Sequence, residues 1–190
     1  MRILRHFSSS ATKMVSLTPL KDLKVSKHQI PPYKLIPNTS IINKPLLHYQ
    51  SAFSSPNASQ IEQHLKKTGV VTPQWRYTMY QTTHFHSTTH EVLCISSGAA
   101  KLCFGHECNP DRVEIEAKAG DVVVVPAGVG HRLLEETKSP FEMVGSYPKG
   151  KDWDMCYGKE GEEEKVKAIE KAGWFAKDPI YGEEGPVLDV

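Results

Sequence analysis

Between residues 74 and 147 this chain reads as one short strand after another, each closed by a turn signal. Trp75, Tyr77 and Met79 alternate with Arg76, Thr78 and Tyr80, and strand-like runs recur at 91–96, 101–104, 113–116, 121–125, 131–134 and 142–147. Gly98, Pro110, Gly120, Pro126 and Gly128 stand in the turns between them. A period of two sends successive side chains to opposite faces. Many short strands with close turns bury a core as a sandwich or a barrel, so the expected fold class is all-β.

The flanks read differently. Residues 57–69 predict a helix: Asn57 can cap it, Gln60 follows three residues on, Ile61 and Leu65 form a narrow apolar stripe, and Gly69 ends it. Two apolar positions predict a helix lying on the surface. A second short helix is expected over 161–173, acidic at Glu162, Glu163 and Glu164, with Val166, Ile169 and Ala172 as its contact stripe. Residues 15–56 read as an extended N-terminal arm with one or two edge strands, because Pro31, Pro32, Pro37 and Pro45 disfavour a helix or central strand. The division expected is therefore 1–21 as a targeting or disordered segment outside the fold, 22–73 as arm and surface helix, 74–150 as barrel core, and 151–190 as C-terminal helix and extended tail.

The net charge of +1 is unevenly spread: residues 1–34 carry seven basic groups against Asp22 alone, leaving the rest at −5. A mildly acidic body offers no basic surface for nucleic acid. No apolar run approaches the ~18 residues of a membrane span. The first 21 residues hold no acidic residue and are rich in Arg and Ser. That composition fits a mitochondrial transit peptide, or a basic start to a cytoplasmic protein with a second initiation site at Met14. Four cysteines, at 94, 103, 108 and 156, form no C-x-x-C pair, which fits a reducing compartment. Cys103, His106 and Cys108 could form a thiolate site or be incidental thiols.

The chemistry-bearing residues are His84, His86, Glu91 and His131. His-x-His on a strand puts both rings on one face. If Leu93 and Ile95 point into the barrel, Glu91 does too, and an inward Leu133 carries an inward His131. A short hairpin through 87–89 would set His84 and His86 opposite Glu91. The same alternation turns His90 away, to a supporting or surface position. Imidazole nitrogen with carboxylate oxygen suits one divalent transition metal (Fe, Mn, Zn, Ni or Cu) rather than Ca or Mg. A buried Glu without such a partner, or hydrogen bonds from Tyr or Arg, would be costly.

These residues fall into two spaced motifs, His84-x-His86-x4-Glu91-x6-Gly98 and Gly120-x5-Pro126-x-Gly128-x2-His131. Their pairing resembles the cupin superfamily. Thr78 stands where the first motif has glycine and Glu135 where the second has asparagine, and neither change removes a ligand. The segment 145–154 also resembles a little-characterised subgroup of small microbial and fungal cupins. The resemblance implies a double-stranded β-helix (jelly-roll) barrel with two short flanking helices. It also implies a metal held by His84, His86, Glu91 and His131, and a homodimer.

Two functions fit this reading. One is a metal-dependent enzyme acting on a small organic molecule at the barrel mouth, with dioxygenase, isomerase and lyase chemistry all open. Arg76, Tyr77, Tyr80 and Tyr147 are then candidate pocket groups. The other is a non-catalytic metal or small-ligand binding protein on the same barrel. A metal-free, epimerase-like cupin is disfavoured by the full ligand set.

Overall fold

The computed structural model describes residues 15–190. Its strands are β1 (Ser16–Leu17), β2 (Lys24–His28), β3 (Leu46–Gln50), β4 (Phe53–Ser54), β5 (Val71–Tyr77), β6 (Glu91–Phe104), β7 (Val113–Lys118), β8 (Val122–Val125) and β9 (His131–Pro148). The helices are α1 (Ala58–Thr68) and α2 (Glu163–Ala168), with α2 running into a 3-10 turn, Ile169–Ala172. Seven strands form one antiparallel sheet in the order β2-β3-β8-β6-β9-β5, with β7 also paired to β6. A separate pair joins β1 to β4. The fold is the expected cupin-type jelly-roll barrel with two short helices.

Strand alternation explains where the core lies. In β8, Val123 and Val125 pack with Leu93, Ile95, Leu102, Phe104 and Met143, while Val122 and Val124 pack with Leu47, Tyr49, Val92 and Cys94 on the other face. A strand buried on both faces needs an unbroken apolar run, which is why residues 122–125 are all valine. Helix α1 covers the outer face through Ile61 and Leu65, both fully buried. Asn57 caps it by accepting from the amides of Ser59 and Gln60, and Gly69 closes it in the left-handed region at φ 69°. The helix is packed more deeply than two apolar positions suggest, because His64 is also buried and hydrogen-bonds the Ile180 carbonyl at 2.7 Å.

Four expectations are corrected. The runs at 91–96 and 101–104 are one strand, β6, and those at 131–134 and 142–147 are one strand, β9. Gly98 reads as a turn but makes a bulge: it sits at φ 69°, and a Cβ there would lie 2.3 Å from the Lys138 carbonyl oxygen. Of the one or two edge strands expected in 15–56, β2 stands at the end of the sheet order, whereas β3 lies between β2 and β8. Pro45 is compatible because it stands just before the strand and removes no ladder donor. The segment 1–21 does not lie wholly outside the fold: residues 1–14 fall outside the described residues, but Val15 is buried and Ser16–Leu17 pairs with β4.

The fourth correction concerns the hairpin. His84 and His86 are not set opposite Glu91 by a ladder, since Glu91 pairs with Val125. His84 forms a backbone bridge to His131 instead, and Phe85 bridges to Cys156. Strand β9 on one side and the segment after it on the other thus hold the His-x-His run. Among the described residues no helix is long and apolar enough to cross a membrane.

Candidate metal centre

His84, His86 and His131 offer ring nitrogens that all lie within 4.8 Å of one another, and all three residues are buried. The bridge that brings them together is reciprocal: the His131 amide donates to the His84 carbonyl at 2.8 Å and the His84 amide to the His131 carbonyl at 3.2 Å. The Gly128 amide donates to the His86 carbonyl at 2.9 Å, so the turn after β8 holds the second histidine.

Each ring is oriented from behind. His84 Nδ1 donates to the Thr82 carbonyl at 3.0 Å, His86 Nδ1 to the Asp154 carbonyl at 2.5 Å and His131 Nδ1 to the Val129 carbonyl at 2.9 Å. With Nδ1–H committed to a carbonyl, each ring turns Nε2 toward the others as a lone pair, the arrangement that metal-binding imidazoles use.

Glu91 lies beside two of the three rings. Its Oε1 is 3.5 Å from His86 Nε2 and its Oε2 is 3.3 Å from His131 Nε2. Donors about 2.0–2.2 Å from one tetrahedral or octahedral ion stand about 3.0–3.5 Å apart, so these separations match edges of a coordination polyhedron. The donor set therefore fits a transition metal. The grouping within 4.8 Å contains the three histidines without Glu91.

The electrostatics follow from burial and these neighbours. Burial opposes the Glu91 charge, but His86, His131 and the Tyr147 hydroxyl outweigh it and hold its pKa at about 2. Burial also disfavours a charged His131, and with His84 and His86 nearby lowers it to about 3. His84 is lowered chiefly by burial. Burial pulls His86 down too, yet Glu91 and Asp154 leave it raised. Three nearby rings thus cannot all carry a proton, which keeps lone pairs available.

A pocket of about 320 Å³ opens over this cluster, lined by the three histidines, Glu91 and a largely aromatic and methionine wall. All four sequence-predicted pocket residues line it, in different ways. Tyr147 lies at its base and donates to Glu91 at 2.6 Å. Tyr77 and Tyr80 stand exposed at the mouth. Arg76 is tied away: its guanidinium donates to Glu62 at 2.5 Å and Ser59 at 3.1 Å, both on α1. His90 is neither ligand nor surface. It is buried, accepts from the Ala127 amide through Nδ1 and donates to the Gly173 carbonyl through Nε2, fastening the C-terminal segment to the turn after β8. Cys103 and Cys108 do not join a metal-competent group among the described residues.

Sequence reading missed Trp75, Trp153, Asp154 and Met155. Trp75 donates to the Tyr147 hydroxyl at 2.9 Å. It lies flat across Gly145, its partner in the ladder, where any Cβ would meet the indole at 1.9 Å. The Asp154 carboxylate accepts from the Ser87 amide at 2.7 Å and its hydroxyl at 2.8 Å. This clamps residues 152–156 against the His-x-His run. Trp153 and Met155 complete the pocket wall. The one available signal was the Trp153–Asp154 stretch inside the segment resembling small microbial and fungal cupins.

A jelly-roll barrel whose mouth gathers three histidines and a glutamate defines a cupin with a potential metal site. The chain belongs to the cupin superfamily: the Cupin domain family matches residues 78–147. It is 38% identical over 147 residues to the uncharacterized protein YjlB of Bacillus subtilis strain 168, covering 77% of this chain and 85% of that one. Among solved structures it is similar to procruciferin, the 11S globulin of Brassica napus (12% identity, TM-score 0.35, 58% of this chain and 22% of that one). It is also similar to the oxalate decarboxylase of Lactobacillus farciminis in its formate complex (13% identity, TM-score 0.34, 75% of this chain and 33% of that one). The chain spans about a third or less of the length of these two solved chains.

Proposed function

We propose that this protein holds one divalent transition metal at the barrel mouth, through His84, His86, His131 and Glu91, and binds a small organic molecule against it. One observation carries the reading: all three Nδ1 atoms face main-chain carbonyls, so the three Nε2 atoms converge beneath an open pocket. A bound ion would supply Lewis-acid or redox chemistry to an oxygen of that molecule. The chain's own residues would orient the molecule, exclude water along the aromatic walls and keep Glu91 ionised. Protein purified without an affinity tag should carry roughly one first-row transition metal per chain by elemental analysis. Metal-free protein that also fails to take up Zn, Mn, Fe, Ni or Cu sinks the reading.

A non-catalytic binding role has one observation in its favour. The Tyr147 hydroxyl donates to Glu91 and accepts from Trp75, so the hydroxyl at the pocket base is already engaged on both sides. Turnover of a bound compound by metal-loaded protein decides for the enzyme; binding without turnover across oxygen-dependent and oxygen-independent assays decides for the receptor.

A further inference from the structure

Two aromatic walls rise from the histidine cluster to the pocket mouth. On one side Trp153 meets His86 edge-on at 5.7 Å between ring centres and stacks on Tyr147 at 6.3 Å and 22°. On the other, Tyr80 packs on His84 at 5.6 Å and Tyr77 meets Tyr80 edge-on at 6.3 Å. Both walls end in solvent: Tyr77, Tyr80 and Trp153 are 59%, 52% and 40% exposed.

That exposure is concentrated. Of the five exposed large hydrophobic residues among those described, Tyr77, Tyr80, Trp153 and Tyr157 line this pocket or the groove sharing Tyr80, Trp153 and Met155 with it. Exposed apolar surface gathered in one place marks a binding site, whereas scattered single residues do not. The Thr78 hydroxyl is buried in the same lining without a hydrogen-bond partner among the described residues.

The charges are as informative as the rings. Arg76 is the one lysine or arginine among the described lining residues, and its guanidinium is held on α1 by Glu62 and Ser59. Among the described residues, no free cationic side chain therefore faces the pocket to take a second anionic group. A phosphate ester, or a dicarboxylate with separated carboxylates, would set a bare charge against Trp153, Met155 or Tyr80, at a large desolvation cost.

We infer that the ligand is a planar, apolar-bodied molecule, aromatic or conjugated, neutral or singly charged, with oxygen directed at the metal. This rests on the metal reading above. The volume of about 320 Å³ holds such a body of roughly 12–15 non-hydrogen atoms at protein-interior packing density. Its faces lie between the Trp153 and Tyr80 walls, and its oxygens reach the histidine cluster.

The test uses full-length protein loaded with one equivalent of Zn²⁺, which is redox-inert, and calorimetric titration with naphthalene-2,3-diol and with malate. The diol should bind at least about tenfold tighter than malate. Trp153→Ala should weaken diol binding about tenfold and Trp153→Phe should restore most of it, all three proteins holding equal zinc; one stacked ring is worth ~1–3 kcal/mol. Malate binding as tightly as the diol, or a Trp153→Ala affinity equal to the parent's, overturns the inference. A protein that retains no zinc yet binds the diol in a Trp153-dependent way overturns the metal reading while supporting the aromatic pocket. Loss of both zinc and diol binding in the parent protein overturns both.

Discussion

The Tyr147 hydroxyl donates to Glu91 Oε1 at 2.6 Å and accepts from Trp75 Nε1 at 2.9 Å. This relay crosses from β5 through β9 to β6, joining three strands behind one carboxylate. It keeps Oε1 occupied and leaves Oε2 as the atom nearer His131. Hydrogen bonds to ligating carboxylates orient them and tune their metal affinity.

Tyr147→Phe should therefore fold, because the ring stays, but should bind metal about 10–100-fold more weakly. Competition against a chelator of known affinity measures this. Unchanged affinity would show that Glu91 needs no such support. Trp75 loses its acceptor in the same variant, so a stability loss of about 1–3 kcal/mol should accompany the change.

His131→Ala should lower metal content well below the parent's. His131 belongs to both the nitrogen cluster and the backbone bridge, and the bridge survives because it uses main-chain atoms alone. Stripping the parent protein with a chelator should lower its melting temperature, since an ion at about 100 times its dissociation constant adds about 2.7 kcal/mol. The His131→Ala protein should show little such shift. An equal shift in both would move the ion to other ligands.

Asp154→Ala removes the clamp between residues 152–156 and the His-x-His run. The Ser87 amide and hydroxyl lose their acceptor, and the Cys156 thiol loses its own, at 3.3 Å. The fold should lose about 1–3 kcal/mol, and amide exchange should quicken over 151–157 and 85–88 while β6 and β8 stay protected. Uniform loss of protection would place Asp154 in the global core instead.

Acid should destabilise the metal-free protein in a defined window. His90 is held at about 4, chiefly by burial, against the ordinary 6.5. Its Nδ1 accepts the Ala127 N–H, so a proton there faces another proton. The unfolded chain gains its proton near 6.5 and the folded chain at about 4. Stability is thus full above the unfolded value and falls as pH drops through that window, by about 3 kcal/mol. His131 and His84, lowered as well, act in the same direction. Chemical denaturation at several pH values should show a shallower slope for His90→Gln than for the parent, and identical slopes would exonerate His90.

Much of this protein was legible before folding. Period-two alternation and turn residues gave an all-β sandwich or barrel, the two spaced motifs resembling cupins pointed to the barrel, and alternation around Glu91 and His131 turned both inward and His90 the other way. These are local properties, written in neighbouring residues. Asn57 and Gly69 marked α1 for the same reason.

Long-range pairing lay beyond that reach. Gly98 signals a turn locally, yet the bulge it makes depends on Lys138, forty residues away, so β6 and β9 looked like four strands. Which strand of the 15–56 arm is an edge was not legible, because the two neighbours of Leu46–Gln50, β2 and β8, are known only once the sheet forms. Arg76 resembled a substrate-binding cation until α1 supplied Glu62. The sequence by itself determined an all-β core and singled out His84, His86 and His131, which the fold gathers within 4.8 Å, since strand period and donor chemistry are local. Tertiary structure decided what surrounds them, through Asp154 behind His86, Tyr147 and Trp75 behind Glu91, and Trp153 over the mouth. The hydrogen bonds among these residues join segments 56 to 72 residues apart, and only the folded barrel brings these groups within bonding distance.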